Sequence, residues 1–180
     1  MCSFIFTNFE IEDLESVNWF NQKRGPDLTT KTKVESNYFI HNLLSITGET
    51  KPQPLKNSRE DIFSIYNGEV YNYKDLKKDA TSDGEAIIEQ YEKYGEEAFR
   101  RLDGEFAIVL VDYTQRFLYL CTDNFATKPM WMARDKNRYC VSSYESVLKN
   151  LGFENRTKIS ENRLVKFDLD TMNIISVQKL

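Results

Sequence analysis

The chain has 180 residues, of which 24 are Lys or Arg and 28 are Asp or Glu, for a net charge of −4. That length suits one domain spanning 1–180 with a real core and is short for two, and the mild acidity argues against a general nucleic-acid-binding surface. No stretch approaches membrane-spanning length and no basic segment leads into an apolar run at the start, so a cytoplasmic protein is the expectation.

Three cysteines, Cys2, Cys121 and Cys140, are an odd number without CxxC spacing, and with the single His41 they form no zinc pattern. No metal and no cofactor is called for. Cys121 and Cys140 sit in apolar alternating runs and read as core residues. Cys2 is different because it lies one peptide bond from the first residue. Removal of Met1 would leave an α-amine, with a pKa of about 7.7–8.0, on the same residue as the thiol. Such an amine can activate its own side chain as a nucleophile, with no histidine needed. The plainer reading is a small apolar residue that opens an edge strand.

In chain order, Cys2 to Thr7 reads as a strand, and Glu10 to Asn21 as a short helix. Lys23 to Asp27 is a turn by its Gly-Pro-Asp chemistry. Tyr38 to Ile46 is a second apolar run, and Lys51 to Lys56, with two prolines, reads as a loop. Between Ile62 and Tyr73, apolar and aromatic residues flank Asn67-Gly68, a hairpin signal. Lys74 to Lys78 reads as a short helix. Ser82 to Tyr94 reads as a clearer one, with Ser82 and Glu85 spaced as a capping box and Gly95 as its stop. Glu97 to Leu102 adds a turn or two of helix. Paired strands follow at Phe106–Val111 and Phe117–Cys121, then at Met130–Ala133 and Tyr139–Ser143. Glu145 to Asn150 is a short helix, and Leu164–Leu169 with Asn173–Gln178 form a last hairpin. Hairpins with helices inserted in blocks predict an α+β layered domain of antiparallel sheets.

Several segments occur together in one order: Met1-Cys2, Arg24-Gly25-Pro26-Asp27, His41 to Ile46, Tyr66 to Tyr73, Ser82-Asp83-x-Glu85 and Leu102 to Ala107. Together they resemble the class II glutamine amidotransferase domain found at the N-terminus of asparagine synthetase B-type enzymes. Asp123 to Pro129 is similar to the same family's Arg-Asp-x-x-Gly-x-Lys-Pro segment. The resemblance implies an N-terminal nucleophile hydrolase fold, a four-layer αββα sandwich of two antiparallel sheets. It implies hydrolysis of glutamine to glutamate and ammonia through a thioester on Cys2. Asn67 and Gly68 would then supply the oxyanion hole, a role that suits an amide NH₂ and a closely approaching backbone N–H. Glu69 and Asp83 match the positions that hold the substrate ammonium. For Asp83 the plainer reading is a carboxylate at a helix start.

Leu43, Leu44, Ser45, Ile46 and Thr47 match the substrate-binding segment, but with a departure. The family has His-x-Arg-Leu-Ser-Ile, whose Arg pairs with the substrate carboxylate, and this chain has Leu43 at the Arg position. An aliphatic side chain cannot replace that bidentate contact. Another cation would have to serve, with Arg24 as the candidate substitute. Otherwise glutamine binds weakly, or a different amide is the substrate. Ser3 also stands where the family has Gly, and its Cβ is expected to narrow the approach to Cys2 or to alter the backbone. Arg24 to Asp27 reads as structural support near the site, and His41 as a core residue or one that supports the site from behind. No ATP-pyrophosphatase motif follows, so ammonia would pass to a separate synthetase. A ligand-binding module that has lost catalysis, or an amidase acting on a different amide, are the competing readings. Oligomeric state is not legible in the chain.

Overall fold

The computed structural model describes residues 2–45 and 51–180. Within them, twelve strands form two six-stranded sheets in which every pairing is antiparallel. The first contains β1 (Ser3–Thr7), β2 (Leu28–Val34), β3 (Asn37–Leu43), β8 (Trp131–Arg134), β9 (Tyr139–Ser142) and β10 (Arg156–Lys158), in the order β10-β8-β9-β1-β3-β2. The second contains β4 (Leu55–Lys56), β5 (Ile62–Val70), β6 (Gly104–Asp112), β7 (Phe117–Thr122), β11 (Arg163–Asp168) and β12 (Ile174–Gln178), in the order β12-β11-β7-β6-β5-β4.

Period-2 alternation explains the layers, because successive side chains of a strand face opposite ways. Phe4 and Phe6 of β1 face inward, where they join Phe39, Phe63, Val109 and Leu120 in the core between the sheets. The rings of Phe39 and Phe63 meet across that interface at 5.9 Å. Ile5 faces outward with Ile40 and Cys140, against Val147 and Leu148 of α4 (Glu145–Asn150) and Leu14 and Val17 of α1 (Leu14–Gln22). On the far side, Ile108, Leu110 and Cys121 pack against Ile87 and Tyr91 of α3 (Glu85–Tyr94) and Phe99 of a 3₁₀ helix at Gly95–Arg101. The result is an α+β sandwich of two sheets between helical layers, as expected. Cys121 and Cys140 are fully buried core residues, and burial pushes both thiols well up. A short helix, α2, spans Tyr73–Leu76.

Three expectations need correction, and two strands were not anticipated. Asn67-Gly68 is not a turn: both residues lie inside β5, opposite Ala107 and Phe106 of β6. The long β5–β6 ladder overrides the local turn propensity, and the two strands are joined through the helical block rather than by a hairpin. The capping box does not form as spelled. Gly84 is the N-cap of α3, and the Glu85 carboxylate accepts from the Thr81 N–H and hydroxyl instead. β1 is central rather than an edge, because β3 and β9 flank it. β2 and β10 carry no apolar run, and long-range pairing alone makes them strands.

Candidate active site

Cys2 precedes β1 at the end of the sandwich and lines a cavity of about 360 Å³. The same cavity is lined by Leu43, Leu44 and Ser45 at the end of β3, Tyr66 to Tyr71 of β5 and its exit, and Thr81, Ser82 and Asp83 before α3. Sequence-distant segments thus converge because β1, β3 and β5 end at one place in facing sheets. Ile46 and Thr47 lie outside the described residues. The Cys2 thiol is half-buried and lies 3.9 Å from the Leu44 carbonyl as a hydrogen-bond donor. Burial pushes its pKa up, and the Leu44 contact and the Arg24 charge oppose that shift.

Strand alternation turns Ser3 away from Cys2. Its hydroxyl donates to the Asn21 carbonyl at 2.7 Å and accepts from the Asn42 amide at 3.1 Å, and it does not line the cavity. Asn42 also exchanges hydrogen bonds with Asn18, so a buried polar network lies behind β1 and holds it to α1. The narrowing of the approach expected from Ser3 therefore does not arise, because its Cβ faces the other side of the strand.

The open edge of β5 is the most informative part of the cavity. The Tyr66 N–H is bonded by the Gln53 side chain at 2.7 Å, and the Val70 N–H by the Asp83 carboxylate at 2.9 Å. Across the ladder, Phe106 sends its N–H and its carbonyl to Asp123, away from β5. In this register Gly68 is therefore not bonded to β6, and its N–H points the same way as those of Tyr66 and Val70. No side-chain acceptor among the described residues meets it. Gly68 has a φ of +141°, and a Cβ there would lie 2.0 Å from the Glu105 carbonyl, so only glycine fits. Beside it, the Asn67 side chain is 1% exposed, and neither its oxygen nor its nitrogen has a partner among the described residues. Buried amides are nearly always paired, so this one is an exception that needs a reason.

Asp83 is already occupied. Besides the Val70 N–H, it accepts the Tyr66 hydroxyl at 2.7 Å. Burial and the neighbouring Asp83 charge push the Tyr66 phenol far up. Glu69 lines the cavity and is exposed. Leu43 lines it with its side chain largely buried and presents an apolar surface to the cavity. Arg24 is not among the lining residues. Its guanidinium lies 5.5 Å from the centre of the Tyr144 ring. The turn it begins braces the site: the Asp27 N–H bonds the Leu43 carbonyl at 3.0 Å, and its carboxylate accepts from the Ser45 N–H at 2.8 Å. His41 sits in the core, 1% exposed, and its pKa falls to about 4 through burial. Gln53, Lys51, Glu105 and Lys128 also line the cavity and were not singled out from the sequence. For Gln53 the signal was the proline-flanked loop itself, read only as a connector. Among the described residues, no group of three His, Cys, Asp or Glu side chains is placed to hold a metal ion. No helix among them is long and apolar enough to cross a membrane.

Two facing antiparallel sheets, with Cys2 just before a central strand, frame the site. Over residues 1–176 the sequence matches the model of the glutamine amidotransferase domain, and the chain belongs to that family. It is 32% identical over 148 residues to asparagine synthetase [glutamine-hydrolyzing] 1 of Bacillus subtilis, covering 76% of this chain and 23% of that protein. It is 35% identical over 117 residues to asparagine synthetase [glutamine-hydrolyzing] 2 of Oryza sativa, covering 61% of this chain and 20% of that protein. The chain thus spans about a fifth to a quarter of the length of these curated relatives. In fold it is similar to the glutamine phosphoribosylpyrophosphate amidotransferase of B. subtilis, with a TM-score of 0.73 at 14% identity, covering 99% of this chain and 49% of that one.

Proposed function

We propose that this chain hydrolyses the side-chain amide of glutamine with Cys2 as nucleophile, once Met1 is removed, and supplies ammonia to a synthetase activity. The observation that carries the reading is the unpartnered Asn67 amide beside the inward-facing Gly68 N–H, in the same cavity as Cys2. A thiolate attacking an amide carbon forms a tetrahedral intermediate whose oxygen gains a full negative charge. Two preorganised donors aimed at that oxygen stabilise it more than they stabilise the neutral substrate.

The steps balance without a metal. The freed α-amine of Cys2 takes the thiol proton, and sulfur bonds to the amide carbon. The amine then returns the proton to the departing nitrogen, and ammonia leaves a γ-glutamyl thioester. Water, activated by the same amine, cleaves the thioester to glutamate and the free thiol. Burial raises the Cys2 pKa, so little thiolate exists at rest and a base close to the sulfur is required. His41 is not that base, because it is buried in the core and is not among the lining residues. Glu69 and Asp83 line the same cavity and supply negative charge for the substrate ammonium.

Intact mass after exposure to a glutamine-analogue electrophile tests the reading. The expected product lacks Met1 and carries one adduct on Cys2, while Cys121 and Cys140 stay unmodified, and untreated protein releases ammonia from glutamine. Retention of Met1, or labelling of a buried thiol before Cys2, would remove the mechanism.

A further inference from the structure

The carboxylate of an amino-acid substrate needs a cation, and Leu43 supplies none. Among the described residues, two cations line the cavity, Lys51 and Lys128. Lys128 has a side chain only 4% exposed, and its ammonium lies 2.6 Å from Glu105, which lines the same cavity. Their charges largely cancel where they sit. Lys51 is 37% exposed and pairs at 3.1 Å with Glu85, which is not a lining residue. From the sequence, Lys51 was only the start of a proline-containing loop.

We propose that Lys51 holds the α-carboxylate of glutamine, in place of the cation lost at position 43. This rests on the glutaminase reading of the cavity. An α-amino acid carries its ammonium and carboxylate on one carbon, so the groups that receive them must be close neighbours. Asp83 is two residues from Glu85, and Glu85 holds the Lys51 ammonium. Lys51 and Asp83 line the same cavity, and the lysine is tied through Glu85 to the start of the helix that Asp83 precedes. Moving Lys51 toward a ligand leaves Glu85 compensated, because Thr81 donates to it twice and the Lys77 ammonium lies 3.9 Å away. The Ser82 hydroxyl, between Thr81 and Asp83, has no partner among the described residues and offers the carboxylate a second donor. A lysine is a flexible point charge and not a planar fork, so it recognises the carboxylate with less geometric selection than arginine.

The test is calorimetric binding to the full chain carrying Cys2→Ala, which cannot turn substrate over. The ligands are glutamine and glutaminamide, whose α-carboxylate is replaced by a neutral amide. Glutamine is expected to bind more tightly than glutaminamide. Lys51→Met is expected to weaken glutamine about tenfold or more, the scale of one charge-assisted hydrogen bond, and to leave glutaminamide unchanged. Lys51→Arg is expected to keep the preference. Equal binding of the two ligands by the parent would overturn the proposal, as would an unchanged ratio in Lys51→Met or a ratio lost in Lys128→Met instead. Ammonia release by the unsubstituted chain reads the glutaminase mechanism separately. A Lys51-dependent preference without turnover upholds this assignment and sinks the mechanism, and turnover without that dependence does the reverse.

Discussion

Asn67 sets function against stability in a way one substitution can measure. Its amide is buried and both polar atoms are unpaired among the described residues. An orphaned buried polar group costs about 1–3 kcal/mol of folding stability. Asn67→Leu keeps the branched shape, the adjoining cavity takes up its bulkier methyl groups, and the penalty is removed, so it should stabilise the fold rather than weaken it. For a chain of 180 residues, each kcal/mol moves Tm by about 2–4 °C, so a rise of roughly 2–12 °C is expected. On the proposed mechanism the same substitution removes one donor from the developing oxyanion, so kcat should fall about 10²–10³-fold. KM should change little, because the donor acts mainly in the transition state. Differential scanning calorimetry and steady-state ammonia release on Asn67→Leu and Asn67→Ala supply the two numbers. A lower Tm with unchanged kcat in Asn67→Leu would show that the amide has a structural partner, and the oxyanion-hole reasoning would fail.

Gly68→Ala should destabilise the fold by at least about 2 kcal/mol, since positive φ alone costs a non-glycine residue about 1–3 kcal/mol and the new Cβ would meet the Glu105 carbonyl; a wild-type Tm would refute the β5–β6 register. His41 has a pKa of about 4, against an ordinary value of 6.5. Above 6.5 it is neutral whether the chain is folded or not. As pH falls from 6.5 toward 4, the unfolded chain takes up a proton that the folded one refuses, so stability should drop by up to roughly 3 kcal/mol. Urea unfolding at pH 7 and pH 4.5 should show that drop, and His41→Gln should remove most of it. Leu43→Arg, placed in a Lys51→Met background, should recover glutamine binding, by about tenfold for each 1.4 kcal/mol regained; no recovery would place the carboxylate elsewhere in the cavity.

Alternation in the sequence was enough for the core strands and for α4, because residues buried on one face must be apolar at every second or third and fourth position. That Ser3–Thr7 is a strand could be read from its Phe and Ile content, but the faces of Phe4, Ile5 and Phe6 were decided by the layers on either side. The candidate nucleophile was legible because its chemistry depends on its place in the chain and not on its neighbours in space. Three-dimensional pairing decided the rest. β2, with the sequence Leu-Thr-Thr-Lys-Thr-Lys-Val, has little apolar content and becomes a strand only because β3 offers it a ladder. Asn67-Gly68 reads locally as a turn, yet the partner strand β6 stretches it into β5, where the glycine admits the Glu105 carbonyl and the Asn loses its partners. Asp83 could be placed near a helix start from sequence, but its bonds to Tyr66 and Val70 span more than a dozen residues and leave no local trace. Lys51 was invisible for the same reason. A lone lysine in a proline-flanked loop has no pattern of its own, and only the approach of that loop to the Cys2 cavity gives its charge a position to act from.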